Sequence, residues 1–90
     1  MSEGRKRVAV VVATRDRERT AEALRAAVGL GLRGDEVSVA FADTGTREAA
    51  EADGAASKAL STLEVLGRRV AGPGELAALV AGADAVEVWT

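Results

Sequence analysis

The sequence predicts an α/β domain: three layers, α/β/α, around a mainly parallel sheet of about four strands. Three observations carry this reading. Val8–Ala13 (VAVVVA) is a continuous, largely β-branched run, the pattern of a strand buried on both faces of a parallel sheet. A segment of helical length follows, with Leu24, Ala27, Val28 and Leu32 on one face and Glu18, Glu22 and Arg25 lying away from it. Val37–Ala42 (VSVAFA) then alternates as a second strand. Strands alternating with helices imply right-handed βαβ units, with helices on both faces of the sheet.

Taken in order, Asp16 and Thr20 are both N-cap residue types for the first helix, which continues to about Arg33. Gly34 supplies a left-handed stop. The stretch from Thr44 to Gly67 is Ala-rich and acidic, and Gly54 disfavours one long helix through it. Ser61 and Glu64 have capping-box spacing, which predicts a separate short helix near Ser61–Leu66 and leaves 46–60 open between helix, loop and partial disorder. Arg68–Ala71 reads as a short third strand. Pro73 in a first helical turn, Glu75 beside it, Leu76, Leu79 and Val80 on one face and Gly82 at the end define a last helix. Ala85–Trp89 (AVEVW) closes as a strand, and Glu87 within it predicts that one face or the edge meets solvent or a partner.

Composition narrows the chemistry. The 90 residues suffice for one domain and contain neither Cys nor His. Disulfides, thiolate chemistry, persulfide carriage, the usual zinc sites and His-based acid–base catalysis are thereby excluded. A net charge of −2 gives no basic footprint for nucleic acid. Hydrophobic residues make up 48% of the chain, but 20 of them are Ala and only 8 are Leu, with Phe41 and Trp89 the only aromatics. Alanine buries about one methyl, roughly 0.8 kcal/mol, against about 1.5–3 for Leu or Val. So thin a core predicts that a face is buried against another subunit.

Arg5, Lys6 and Arg7 precede an apolar run too short for a signal h-region, and no stretch approaches a membrane span. A cytoplasmic protein with no membrane partner is expected. The basic triplet reads as a solvated strand entrance.

Four motifs need weighing. Gly29-Leu-Gly31-Leu-Arg-Gly34 spells the dinucleotide fingerprint, but these glycines end a helix and precede a strand, whereas phosphate binding needs them to open one. Packing and a C-cap explain them better. Asp43-Thr44-Gly45 matches the catalytic triplet of retroviral-type aspartic proteases, whose all-β fold this pattern does not fit, so a strand-to-helix turn is preferred. Thr14, Arg15 and Arg17, with Thr44, Gly45, Thr46 and Arg47, fall at the carboxyl ends of two strands, where open α/β sheets bind ligands. Helix N–H groups and arginines there suit a small anion or nucleotide, against the plainer reading of caps and solvated charge. Trp89 and Glu87 are the interface candidates. No residue set points to catalysis, a metal or a cofactor.

Two stretches resemble the DsrE/DsrF-like superfamily, the small α/β proteins of flavodoxin-like topology class that include Tus-type sulfur-relay subunits. VAVVVATRDRERTAEALRAAVGLGLRGDEVSVAFADTG is similar to the family's opening strand, helix and second strand, and LGRRVAGPGELAALVAGADAVEVW to its closing strand, turn, helix and strand. The family's sulfur-carrying cysteine has no counterpart here. Either the segment that holds it is deleted between Ala49 and Ser61, the better fit, which leaves four strands where the family usually has five, or Val70-Ala71-Gly72 stands where the cysteine loop would be. The resemblance implies a shortened, non-catalytic member: a structural or docking subunit of an oligomeric, sulfur-relay type assembly, self-associating or bound to a DsrE-like paralogue. The alternative is a stand-alone homo-oligomer that holds a small anion or nucleotide at its strand-end loops.

Overall fold

The computed structural model describes residues 6–90. Of the basic triplet, Lys6 and Arg7 are exposed and Arg5 lies outside the described residues. The order of elements is β1 (Arg7–Val12), α1 (Arg17–Leu32), β2 (Glu36–Phe41), α2 (Thr44–Ala52), α3 (Gly54–Val65), β3 (Arg69–Ala71), a 3-10 turn (Pro73–Glu75), α4 (Leu76–Ala81) and β4 (Ala85–Trp89).

The four strands among the described residues are all parallel, in the order β3-β2-β1-β4. The most continuous apolar segment, β1, therefore takes a central place, flanked by β2 (Val10 opposite Val39) and β4 (Val10 opposite Glu87). Alternation then divides the side chains. Val8, Val10, Val12, Val37, Val39 and Phe41 point into one core with Ala23, Leu24 and Ala27 of α1, Ala50 of α2 and Ala56, Leu60 and Leu63 of α3. Ala9, Val11, Ala40 and Ala71 are buried on the opposite face, which the chain crosses from β3 to β4 through the 3-10 turn and α4.

The two layers differ in weight. Three helices cover the first face, while α4 has six residues, none of them buried. Burial ends with Ala71: no residue from Gly72 to Thr90 is buried, although this stretch holds a covering helix and a strand.

The helix boundaries show which local signals prevailed. Asp16 caps α1 by accepting from the Arg19 N–H at 2.9 Å. Thr20, the other expected cap, is instead buried within α1 and its hydroxyl donates to the Thr14 carbonyl at 3.4 Å. Leu32, expected on the core face, is 71% exposed; eight residues on from Leu24 it stands roughly 80° round the helix, and Gly31 beside it takes the buried position. Gly34 and Gly67 adopt φ of 103° and 75°, the left-handed conformation that turns the chain from α1 into β2 and from α3 into β3.

The middle region forms two helices separated at Asp53. This residue follows the last turn of α2 and accepts from the Ala56 N–H at 2.9 Å to cap α3. Ser61 lies inside α3 and starts no helix, which corrects the short helix expected near Ser61–Leu66. The nearer cap at Asp53 already satisfies the free N–H groups, so the chain is helical well before Ser61 arrives.

Candidate functional site

In an open parallel sheet the crevice forms at the carboxyl ends of strands, where the connections diverge to either side. Here β1 is followed by α1 and then β2 on one flank, while β4 returns on the other flank by way of the opposite face. The divergence lies between β1 and β4, bordered by the loop after β1, by Asp43 after β2 and by Trp89 and Thr90.

The β1 loop is held by its own polar groups. The Thr14 hydroxyl accepts from the Asp16 N–H at 3.1 Å, and Asp16 in turn caps α1. Arg15 reaches the start of α2, where its Nη2 lies 3.5 Å from Asp43 Oδ1. Its guanidinium rests over Gly45 so closely that a Cβ at that position would stand 2.3 Å from Nη2. The structure thus brings Thr14, Arg15, Thr44 and Gly45 to one end of the sheet.

Asp43 forms a capping box. Its Oδ1 accepts from the Thr46 N–H at 2.8 Å, and the Thr46 hydroxyl accepts from the Asp43 N–H at 3.3 Å. The Thr46 N–H bond is the main cause that holds the Asp43 carboxyl below its usual range; desolvation opposes it and the Arg15 charge adds to it. Asp43-Thr44-Gly45 is therefore a strand-to-helix turn in an α/β setting, with its carboxylate already bound. Thr46 is buried and committed to the cap.

The other two arginines are directed elsewhere. Arg47 Nε donates to Glu51 at 3.2 Å, and its guanidinium lies 5.7 Å from the centre of the Phe41 ring. Arg17 borders a shallow depression with Glu18, Arg25 and Asp53. No group of three or more His, Cys, Asp or Glu among the described residues is placed to hold a metal ion.

At the β4 side, Trp89 is half-buried with its ring packed against the core, and its Nε1 is buried with no hydrogen-bond partner among the described residues. Arg19 lies 5.0 Å above that ring and donates through Nε to the Thr90 carbonyl at 3.1 Å. Glu87 is exposed at the middle of β4 and forms no ion pair among the described residues. Sequence reasoning missed Arg19. Its only local signal is its place three residues after the Asp16 cap, which sets it at the first turn of α1, and nothing in the chain's order brings that turn to the distant Trp89.

A cleft of about 490 Å³ opens at the other end of the sheet, lined by Arg7, Glu36, Ser38, Arg69, Ala78 and Leu79 among others. Its charges are partly answered by Arg7–Glu36 at 3.9 Å and by the Arg69–Glu75 pair. Among the described residues no helix is long and apolar enough to cross a membrane. No family model, no curated protein and no solved structure matches this chain.

Proposed function

We propose that this chain is a non-catalytic, DsrE-like subunit that docks with a related α/β subunit in an assembly of the sulfur-relay type. One observation carries the reading: the segment from Gly72 to Thr90 supplies a whole layer and an edge strand, yet none of its residues is buried. Val80, Val86 and Val88 are left 38%, 39% and 58% exposed on it. Grouped apolar exposure of this kind marks a surface that a partner covers.

Two further features support it. Without cysteine the chain carries no persulfide, so its part in such an assembly is structural. At the strand ends, Arg15 is answered by Asp43 and Arg47 by Glu51, which leaves little net charge for an anion and weighs against a stand-alone anion-binding module.

Gentle affinity capture from the native host, followed by native mass spectrometry, tests the proposal. Recovery of a cysteine-bearing DsrE-like protein in fixed stoichiometry is the expected result. Recovery of this chain alone overturns it and returns attention to small ligands at the strand-end loops.

A further inference from the structure

We propose that two copies of this chain pair antiparallel through the outer edges of β4, in the register that sets Val88 opposite Val88 and Glu87 opposite Trp89 with its stacked Arg19. The argument begins with the backbone. The Trp89 carbonyl accepts from the Ala13 N–H at 2.8 Å, so Ala85, Glu87 and Trp89 direct their backbone groups toward β1. Val86 and Val88, in alternation, direct theirs outward, and β4 is the terminal strand of the sheet. Such an edge is a template for another strand.

Side chains select the register. A two-fold axis normal to the sheet keeps each face on its own side, so opposed residues share a face. Centred on Glu87, the pairing sets two carboxylates directly opposite each other, which is destabilising. Centred on Val86, it sets Glu87 against Ala85 and Asp84 against Val88, leaving both carboxylates without a cation. Centred on Val88, it places the outward N–H and C=O of Val88 in a reciprocal hydrogen-bonded pair. Each Glu87 then faces Trp89 of the second copy at the spacing of a direct cross-strand pair, with Cβ atoms about 4.5–5.5 Å apart. The guanidinium stacked on that ring is Arg19, which forms no ion pair within its own chain among the described residues. Two charges of opposite sign, neither in an ion pair among the described residues, thus meet, twice per dimer. On the other face the exposed Val86 and Val88 of both copies adjoin.

This dimer rests on the assembly reading only in treating the β4 side as a surface for association. Sedimentation equilibrium of the full chain provides the test. Wild type is expected to be a reversible dimer. Glu87→Arg sets Arg against Arg, and Arg19→Glu sets Glu against Glu, so each variant alone is expected to lose at least about tenfold in dimer affinity. An equimolar mixture of the two restores both ion pairs across the interface and is expected to recover a heterodimer, an effect that no change within one chain produces. Val88→Pro removes an N–H that β1 does not use and is expected to abolish the dimer, which supplies a second route should Arg19→Glu fail to fold.

A monomeric wild type overturns the proposal, as do single variants that remain dimeric or a mixture that stays monomeric. A monomer that is nevertheless captured with a DsrE-like paralogue removes the dimer and leaves the assembly reading intact. A dimer captured with no such paralogue does the reverse.

Discussion

The Arg68 guanidinium lies against Gly31, with Nη2 donating to the Gly31 carbonyl at 3.1 Å, and so joins the start of β3 to the last turn of α1. A Cβ on residue 31 would stand 2.7 Å from Arg68 Nε, a nitrogen that is buried with no hydrogen-bond partner among the described residues. Glycine is present here because another side chain occupies the space, and no nucleotide is needed to explain it.

That contact predicts a coupling between the two positions. Ala in place of Gly within a helix gains roughly 0.5–1 kcal/mol. Displacing Arg68 costs its hydrogen bond, about 0.5–1.5 kcal/mol, so the two effects are expected nearly to cancel in Gly31→Ala alone. With Arg68→Ala already made, the same substitution is expected to stabilise by about 0.5–1 kcal/mol. Urea unfolding of the four variants measures this; additive effects would show that the guanidinium does not constrain residue 31.

Asp43 predicts a change in acid stability with a definite sign. Its folded carboxyl lies below the ordinary range, chiefly through the Thr46 N–H. A carboxylate depressed on folding contributes stability that is present above its unfolded pKa and lost as pH falls through the folded value. Asp43→Asn is therefore expected to flatten the acid limb of the stability–pH curve while changing little of its shape near neutrality. Thermal melts from pH 7 downward decide it, and an unchanged acid limb would remove Asp43 from the account.

Leu24 and Leu32, eight residues apart on α1, differ in surroundings, the first fully buried and the second 71% exposed. Leu24→Ala is expected to cost about 3 kcal/mol, since it opens a cavity under β1 and β2. Leu32→Ala is expected to stay within about 0.5 kcal/mol. Chemical denaturation distinguishes the two, and equal costs would mean that Leu32 is covered in solution by something other than this chain.

Much of the architecture was legible from local chemistry. Val8–Ala13 reads as a strand buried on both faces, being continuously apolar and largely β-branched. Ala85–Trp89 was found with its observed bounds, because Gly82 and Asp84 interrupt the helix before it. The helices of the middle were less legible. Alanine favours helix everywhere without marking where one begins, so the boundary rested on two aspartates, Asp43 and Asp53, and Ser61 offered a competing signal. At the strand ends the spacing of Thr14–Arg17 and Thr44–Arg47 indicated proximity, and the structure joins Arg15 to Asp43. Directions were hidden, since Arg47 follows the helix to Glu51, an i,i+4 neighbour, while Arg17 lines a different depression.

By itself the sequence determined the alternation of strands and helices, the chemistry excluded by the lack of Cys and His, and a first strand buried on both faces. These follow from side-chain volume, branching and titration, which each residue carries wherever it is placed. Only the tertiary structure decided that β4 returns beside β1 and not beside β3, and that three helices lie on one face while a single short helix lies on the other. Strand order depends on which flank of a central strand the crossover can reach, a property of the whole chain. The same return brings Arg19 over Trp89 and leaves Glu87, among the described residues, without an ion pair on an open edge. Residues so distant in sequence carry no local sign that they will meet.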